Sequence, residues 1–166
     1  PNLGLDPLPD IDFNIRSGNT LVGYATEDEI VAGLGADLFT QQEFRERVET
    51  EMQKVSKAYD IFRTQQLADH DDLESVKTAK IELKERLTRL TNLLDRQLFS
   101  ATGGTSFEAW EKTHQPFHWI AEYYQIMHDQ GGFDVIIGNP PYLEKRQINY
   151  SVDNYACLDS NAVHAY

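Results

Sequence analysis

The residues best suited to chemistry in this sequence form one short run, Asn139-Pro140-Pro141-Tyr142. The amide oxygen of Asn139 and a neighbouring backbone carbonyl can accept two hydrogen bonds from an exocyclic amino group, and the Tyr142 ring gives a flat base a surface for stacking. The Asn-Pro-Pro-Tyr run therefore predicts a pocket for a planar substrate that carries an amino group. Two simpler interpretations are a turn that merely ends a strand and a proline-rich ligand of a WW-type domain. Leu143 stands where a WW ligand needs tyrosine, which weakens the second.

An apolar segment, residues 133–137, leads directly into this run. Its apolar residues lack helical spacing and are typical of a buried strand in a parallel sheet. Neither proline can donate to a sheet ladder, so the strand must end in a stiff, extended turn. Because ligands of open α/β sheets bind at the carboxyl ends of the strands, we expect Asn139 and Tyr142 to point into such a crevice.

Residues 131–142 read Gly-Gly-Phe-Asp-Val-Ile-Ile-Gly-Asn-Pro-Pro-Tyr. This phrase resembles the catalytic motif of amino-methylating, S-adenosylmethionine-dependent methyltransferases, above all the large DNA adenine methylases of restriction and phage-defence systems, including the type IIG enzymes that fuse methylase and nuclease. The resemblance implies methyl transfer from S-adenosylmethionine to the N6 amino group of an adenine flipped out of DNA. It assigns catalysis to Asn139, Pro140, Pro141 and Tyr142.

A second phrase, Asn-Ile-Arg-Ser-Gly-Asn-Thr-Leu-Val-Gly at residues 14–23, resembles the third motif of the same enzymes. Ile11, Phe13 and Ile15 alternate with polar residues, which predicts a short, half-buried strand over residues 10–18. The resemblance implies that Asn19 contacts the adenine of the cofactor. An ordinary turn asparagine is the alternative at this position.

The charges of the sequence bear on its partner. Lys145 and Arg146 could approach a phosphate beside a flipped base, and a solvated loop explains them equally well. The whole chain carries 27 acidic and 15 basic residues, a net charge of −12 that repels phosphate backbones. We therefore expect the parent enzyme to contact DNA mostly through regions absent from this chain.

Two amphipathic stripes occupy residues 38–99. Apolar residues at steps of three and four predict two long helices joined by a polar link, and hence an antiparallel helical hairpin in which each helix covers the other. We interpret the stripes as structural packing and expect the outer, acidic surface to contact protein rather than DNA. The first stripe contains Phe44, Val48, Met52, Val55, Tyr59 and Phe62, and the second contains Leu73, Val76, Leu83, Leu87, Leu90, Leu94 and Leu98.

Shorter elements flank the hairpin. The phrase Thr26-Glu27-Asp28-Glu29 predicts the capped start of a short helix, and residues 107–112 predict another. The aromatic stretch 117–127 is expected to pack against the strand that begins at Phe133. His118 within this stretch is interpreted as a packing or hydrogen-bonding residue rather than a base.

Metal, disulfide and membrane functions are not indicated. Cys157 is the single cysteine, which excludes an internal disulfide and favours a buried, inert thiol. His70 lies among aspartates without a second histidine at ligand spacing, so a solvated capping loop is favoured over a metal site. The sequence shows no leader and no apolar run long enough for a membrane span, which predicts a cytoplasmic protein.

The predicted fold is α/β, a partial S-adenosylmethionine-dependent methyltransferase sheet of the Rossmann type that is interrupted by the helical hairpin. Residues 1–37 and 100–166 would form parts of the methyltransferase core and residues 38–99 the insertion. A glycine-rich motif for the methionine part of the cofactor is not seen, so the isolated chain is expected to be inactive. Alternative functions are methylation of an RNA base or of a protein glutamine in the same pocket, and a non-catalytic helical interaction module.

Overall fold

Helices make up the regular secondary structure of the residues that the computed structural model describes, which are 13–32, 34, 38–67, 73–102 and 104–138. No β-strand occurs in these residues, and an isolated parallel bridge joins Asn19 to Pro116. The predicted α/β fold with a Rossmann-like sheet is therefore wrong for this part of the chain. The helices are α1 (Glu27–Ala32), α2 (Leu38–Leu67), α3 (Leu73–Ser100), α4 (Phe107–His114), α5 (Trp119–Glu122) and α6 (Tyr124–Asp129).

The two long helices are those that the apolar stripes predicted. Early turns of α2 share a groove with late turns of α3, and late turns of α2 share another with early turns of α3, so the pair is antiparallel. Val55 of α2 and Leu83, Leu90 and Leu94 of α3 are fully buried. The link at residues 68–72, which contains His70, lies outside the described residues.

No helix in the described ranges has an apolar stretch long enough to cross a membrane. The longest, α2 with 30 residues, carries charged side chains along its length. The apolar residues of α2 therefore form one face, which packs against α3, and do not surround the helix.

The other described segments pack onto the hairpin. Phe13 meets the rings of Tyr59 and Phe62 on α2, with centroids 6.0 and 5.3 Å apart. Trp110 of α4 and Tyr124 of α6 join the same hydrophobic core. One core thus holds residues from all three predicted segments, while the division of the chain into 1–37, 38–99 and 100–166 stays a prediction.

Side-chain caps define the short helices. Thr26 Oγ1 accepts from the N–H of Glu29 at 3.3 Å, and Glu29 Oε2 accepts from the N–H groups of Ala25 and Thr26 at 2.6 and 3.4 Å. This reciprocal arrangement confirms the predicted capped start of α1. The predicted helix at residues 107–112 is confirmed as α4, which begins after the capping hydroxyl of Ser106 and is followed by Gln115 in the left-handed region, φ 47°.

The strand predicted over residues 10–18 does not form in its described part, residues 13–18. Phe13 is buried as the alternation predicted, but Ile15 is 72% exposed, and Arg16 is largely buried beside Glu122, with Nε 3.3 Å from Oε2. Within the described residues no neighbouring strand offers this segment a ladder, and Phe13 inserts between the rings of α2 instead. The alternation therefore predicted the burial of one side chain and not a strand.

The strand predicted over residues 133–137 is also absent, although the structure describes these residues. Phe133 is half-buried, whereas Val135, Ile136 and Ile137 are 71%, 72% and 92% exposed. A single extended segment cannot cover its side chains or pair its backbone without neighbouring strands. None lies beside it among the described residues, so the burial that its composition predicted does not occur there.

The leucine stripe of α3 provides a matched test of the core. Leu90 is fully buried, whereas Leu73 on the same helix is 68% exposed. Leu90→Ala should lower the free energy of unfolding by about 2–5 kcal/mol, because it removes buried methyl groups and leaves a cavity. Leu73→Ala should change it by less than about 0.5 kcal/mol. Urea unfolding followed by circular dichroism measures both, and equal losses would contradict the packing.

Candidate functional site

Most residues assigned to the site from the sequence lie outside the described residues. The last described segment, residues 133–138, leads directly into the Asn-Pro-Pro-Tyr run. Of the assigned residues, Asn19 lies within the described part of the chain. The roles of the others stay predictions, and these residues are Asn139, Pro140, Pro141, Tyr142, Lys145 and Arg146.

Asn19 holds a turn together. Its Oδ1 accepts from the N–H of Leu21 at 3.2 Å, and its carbonyl accepts from the N–H of Val22 at 2.9 Å. Its own N–H donates to the carbonyl of Gln115 at 2.7 Å, which ties the turn to the end of α4. These bonds are those of a structural turn. The contact with the adenine of a cofactor stays a prediction.

One residue assigned to S-adenosylmethionine, Asn19, lies in the described part of the chain. Such a cofactor needs partners for its adenine, its ribose and its methionine part, and Asn19 was assigned to the adenine alone. The side-chain oxygen of Asn19 accepts a hydrogen bond from Leu21, and because an amide oxygen has two lone pairs this bond alone does not exclude adenine. In the described ranges no cluster of three or more His, Cys, Asp or Glu side chains could hold a metal ion.

The imidazole of His118 is the centre of a buried polar network. Its Nδ1 lies 3.0 Å from the backbone nitrogen of Tyr24, and its Nε2 lies 3.0 Å from Oδ1 of Asp95 on α3. Because a backbone N–H can only donate, Nδ1 must accept, and the proton on Nε2 is donated to the carboxylate. The ring also stacks on Tyr24, with centroids 5.3 Å apart and planes at 21°.

This network excludes His118 as a general base in the observed conformation. Both ring nitrogens are hydrogen-bonded, and the side chain is closed to solvent. A general base needs a lone pair within reach of the proton that it removes, and His118 has none to offer. The interpretation of His118 as a hydrogen-bonding residue is confirmed.

Asp95 is the member of the network that sequence reasoning missed. It is 3% exposed, directly after Leu94 of the leucine stripe. A buried carboxylate needs a partner, so an acidic residue directly beside an apolar stripe was the available signal. Its partner, 23 residues further along the chain, could not be identified from helical spacing.

A polar cleft of about 690 Å³ borders this network. Asp95, Glu111 and Glu122 contribute carboxylates to its wall, and Arg16 and Lys84 contribute cations. Three anionic and two cationic side chains leave the wall with one net negative charge. The cleft therefore does not favour a phosphate group, even though two basic residues face it.

Residues 50–165 match the model of a protein family described as Eco57I restriction-modification methylase. The match covers more than two thirds of the 166 residues, from the middle of α2 through α6 and the Asn-Pro-Pro-Tyr run. Comparison with curated proteins and comparison with solved structures each gave no match.

Two histidine–aspartate pairs allow a controlled test of the buried network. The N–O distance is 3.0 Å in both, but His118–Asp95 is buried and His128–Asp129 is about half exposed. Asp95→Ala should cost about 1–3 kcal/mol of unfolding free energy, because it leaves a buried imidazole N–H unpaired. Asp129→Ala should cost about 0–1 kcal/mol. Urea unfolding of both variants measures these losses. A negligible loss of unfolding free energy for Asp95→Ala would contradict the role of the network.

Tyr59 makes the stability of the fold sensitive to alkaline pH. Burial raises the pKa of Tyr59 above the ordinary 10.0, and the nearby Arg16 partly opposes this shift. As the pH rises through 10.0, the Tyr59 hydroxyl ionises in the unfolded chain before it ionises in the folded chain. The free energy of unfolding is therefore unaffected by Tyr59 below this pH and falls above it, until the pH reaches the pKa of Tyr59 in the folded chain. Tyr59→Phe should flatten this decline in urea unfolding measured from neutral to strongly alkaline pH. An unchanged slope in the variant would refute the role of Tyr59.

Proposed function

The chain belongs to the Eco57I restriction-modification methylase family, and from this membership we propose that it is part of an enzyme that transfers a methyl group from S-adenosylmethionine to the N6 amino group of adenine in DNA. The family match carries the proposal. It includes the phrase at residues 131–142, whose resemblance to adenine methylases supports adenine as the base.

The proposed chemistry is one of positioning. The lone pair of the adenine amino nitrogen is delocalised into the ring, and in a duplex the base is also paired and stacked, so it must be flipped out. The Asn139 side-chain oxygen and the Pro140 carbonyl accept the two amino hydrogens, which directs the lone pair out of the ring plane, while Tyr142 stacks on the base. S-adenosylmethionine would supply an electrophilic methyl group. As the amino nitrogen bonds to the methyl carbon, the bond from that carbon to the sulfonium sulfur would break and S-adenosylhomocysteine would leave, and the methylated amino group would lose one proton to water. No covalent bond to the enzyme is needed, so orientation and electrostatics provide the rate enhancement.

The distribution of charge qualifies the expected contact with DNA. Helix α2 has five basic and five acidic residues, and α3 has six basic and four acidic residues. The two long helices are thus slightly basic, although the whole chain has a net charge of −12. The acidic excess lies outside these helices, which removes the main reason for expecting the hairpin to prefer protein over DNA.

Local ion pairs occupy part of this basic charge. Lys54 lies 2.6 Å from Glu51, and Arg86 lies 2.7 Å from Glu82, each pair within one turn of its helix. Side chains paired in this way release few counterions from a DNA backbone. We therefore propose that the hairpin does not grip DNA and that most phosphate contacts come from other parts of the enzyme.

The test is methyl transfer by the full-length protein, with labelled S-adenosylmethionine and with DNA, RNA and protein acceptors in parallel. Asn139→Ala should lower the rate on DNA by at least about a hundredfold, the scale of a lost transition-state hydrogen bond. Asn92→Ala, the same change on α3, is the matched control and should retain the rate.

The labelled product distinguishes the candidate functions. Methylated adenine in DNA supports the proposal, and label in RNA or in protein glutamine would keep the chemistry and replace the substrate. A full-length protein that labels none of these acceptors would leave the chain as a helical interaction module.

A further inference from the structure

A small pocket lies among helices α1, α2 and α6, each of which contributes to its wall. Its volume is about 240 Å³, below the roughly 300–1,000 Å³ of most small-molecule sites, so it suits one long side chain better than a cofactor. Part of the wall consists of side chains that are at most 5% exposed, which are Ile30 of α1, Val48 and Met52 of α2 and Tyr124 of α6. These side chains offer a hydrocarbon chain apolar contacts.

Charged side chains complete the wall of this pocket. Glu27 and Glu49 contribute carboxylates, and Arg45 contributes a guanidinium. More negative charge adjoins them, because α1 has three acidic residues and no basic one, and Asp129 lies beside the lining residue His128, with Oδ1 3.0 Å from Nδ1. The surroundings are therefore acidic, and we call this site the acidic pocket.

The phenol of Tyr124 responds to this negative charge. Burial raises the pKa of Tyr124 above the ordinary 10.0, and a hydrogen bond with Ser56 partly opposes this shift. The carboxylates of Asp129, Glu27 and Asp60 raise the pKa further, because negative charge nearby disfavours the phenolate. Carboxylates that disfavour an anion at this place favour a cation there. The charge of the acidic pocket therefore complements a positively charged group and repels a phosphate.

We propose that the acidic pocket binds one long basic side chain, an arginine or a lysine, of a protein partner. The methylene groups of such a side chain contact the apolar part of the wall, while its charged end stays near Glu27 and Glu49 at the solvent. Because Arg45 offsets one of these two carboxylates, the lining matches a single cation and not a polyamine. The binding role does not depend on the proposed methyl transfer.

The experiment follows the methyl group of Met52 by NMR in the full-length protein labelled at its methionine methyl groups. Met52→Leu identifies the signal, and Met127 of α6, which does not line the acidic pocket, is the internal control. The probes are N-acetyl-arginine methylamide and its citrulline analogue, which has nearly the same shape and no charge. We expect the arginine probe to shift the Met52 signal saturably and the citrulline probe to bind about fivefold more weakly, because it forms no ion pair.

Exposed carboxylates of the acidic pocket can be neutralised without changing the core. Glu27→Gln and Glu49→Gln should each weaken binding of the arginine probe by about two- to fivefold, the scale of one exposed ion pair. Glu85→Gln, the same change at an exposed residue of α3 that does not line the pocket, should leave binding unchanged.

Three results would overturn the proposal. Equal binding of the two probes would show that charge plays no part, and tighter binding of spermidine than of the arginine probe would replace the protein partner by a polyamine. The absence of a saturable Met52 shift would show that the pocket does not receive a basic side chain from a partner. None of these measurements involves methyl transfer, so they stand or fall separately from the proposed function.

Discussion

One buried imidazole connects parts of this chain that are far apart in sequence. His118 bonds to the backbone of Tyr24, 94 residues before it, and to Asp95 on α3. In a medium of low polarity such a network stabilises the fold only when every member is paired. The network therefore holds the segments around Tyr24, Asp95 and His118 in a defined arrangement. The close approach also restricts the neighbouring backbone. A Cβ at Gly23 would lie 2.1 Å from the carbonyl oxygen of Phe117, so no residue larger than glycine fits there.

The helices were predictable because their signals are local. Apolar residues three and four apart mark the face of a helix wherever it lies, and the Thr26–Glu29 cap is complete within four residues. Strand predictions depend on neighbours that the sequence does not identify. Ile15 and Ile137 carry side chains typical of a strand, yet both are exposed, because no partner strand lies beside either among the described residues.

In the candidate site, too, local contacts could be predicted from the sequence and contacts between distant segments could not. The turn formed by Asn19 was predictable as an alternative, because asparagine often bonds to the backbone two residues further on. Asp95 and its contact with His118 were not, because the pairing crosses from a helix to a distant loop. The helices thus pack around one hydrophobic core that contains the buried hydrogen-bond network of His118. The family membership, and not the geometry of the described residues, carries the methyltransferase chemistry.

The exposed segment near residue 136 has a further consequence, for solubility. Val135, Ile136 and Ile137 are three consecutive β-branched residues without charge, the composition from which intermolecular sheets grow. Nearby residues oppose such growth, since Asp134 directly before them brings charge and Pro140, three residues after Ile137, cannot donate to a ladder. The exposed apolar segment is thus short and is followed by a residue type that disfavours its extension into an intermolecular sheet.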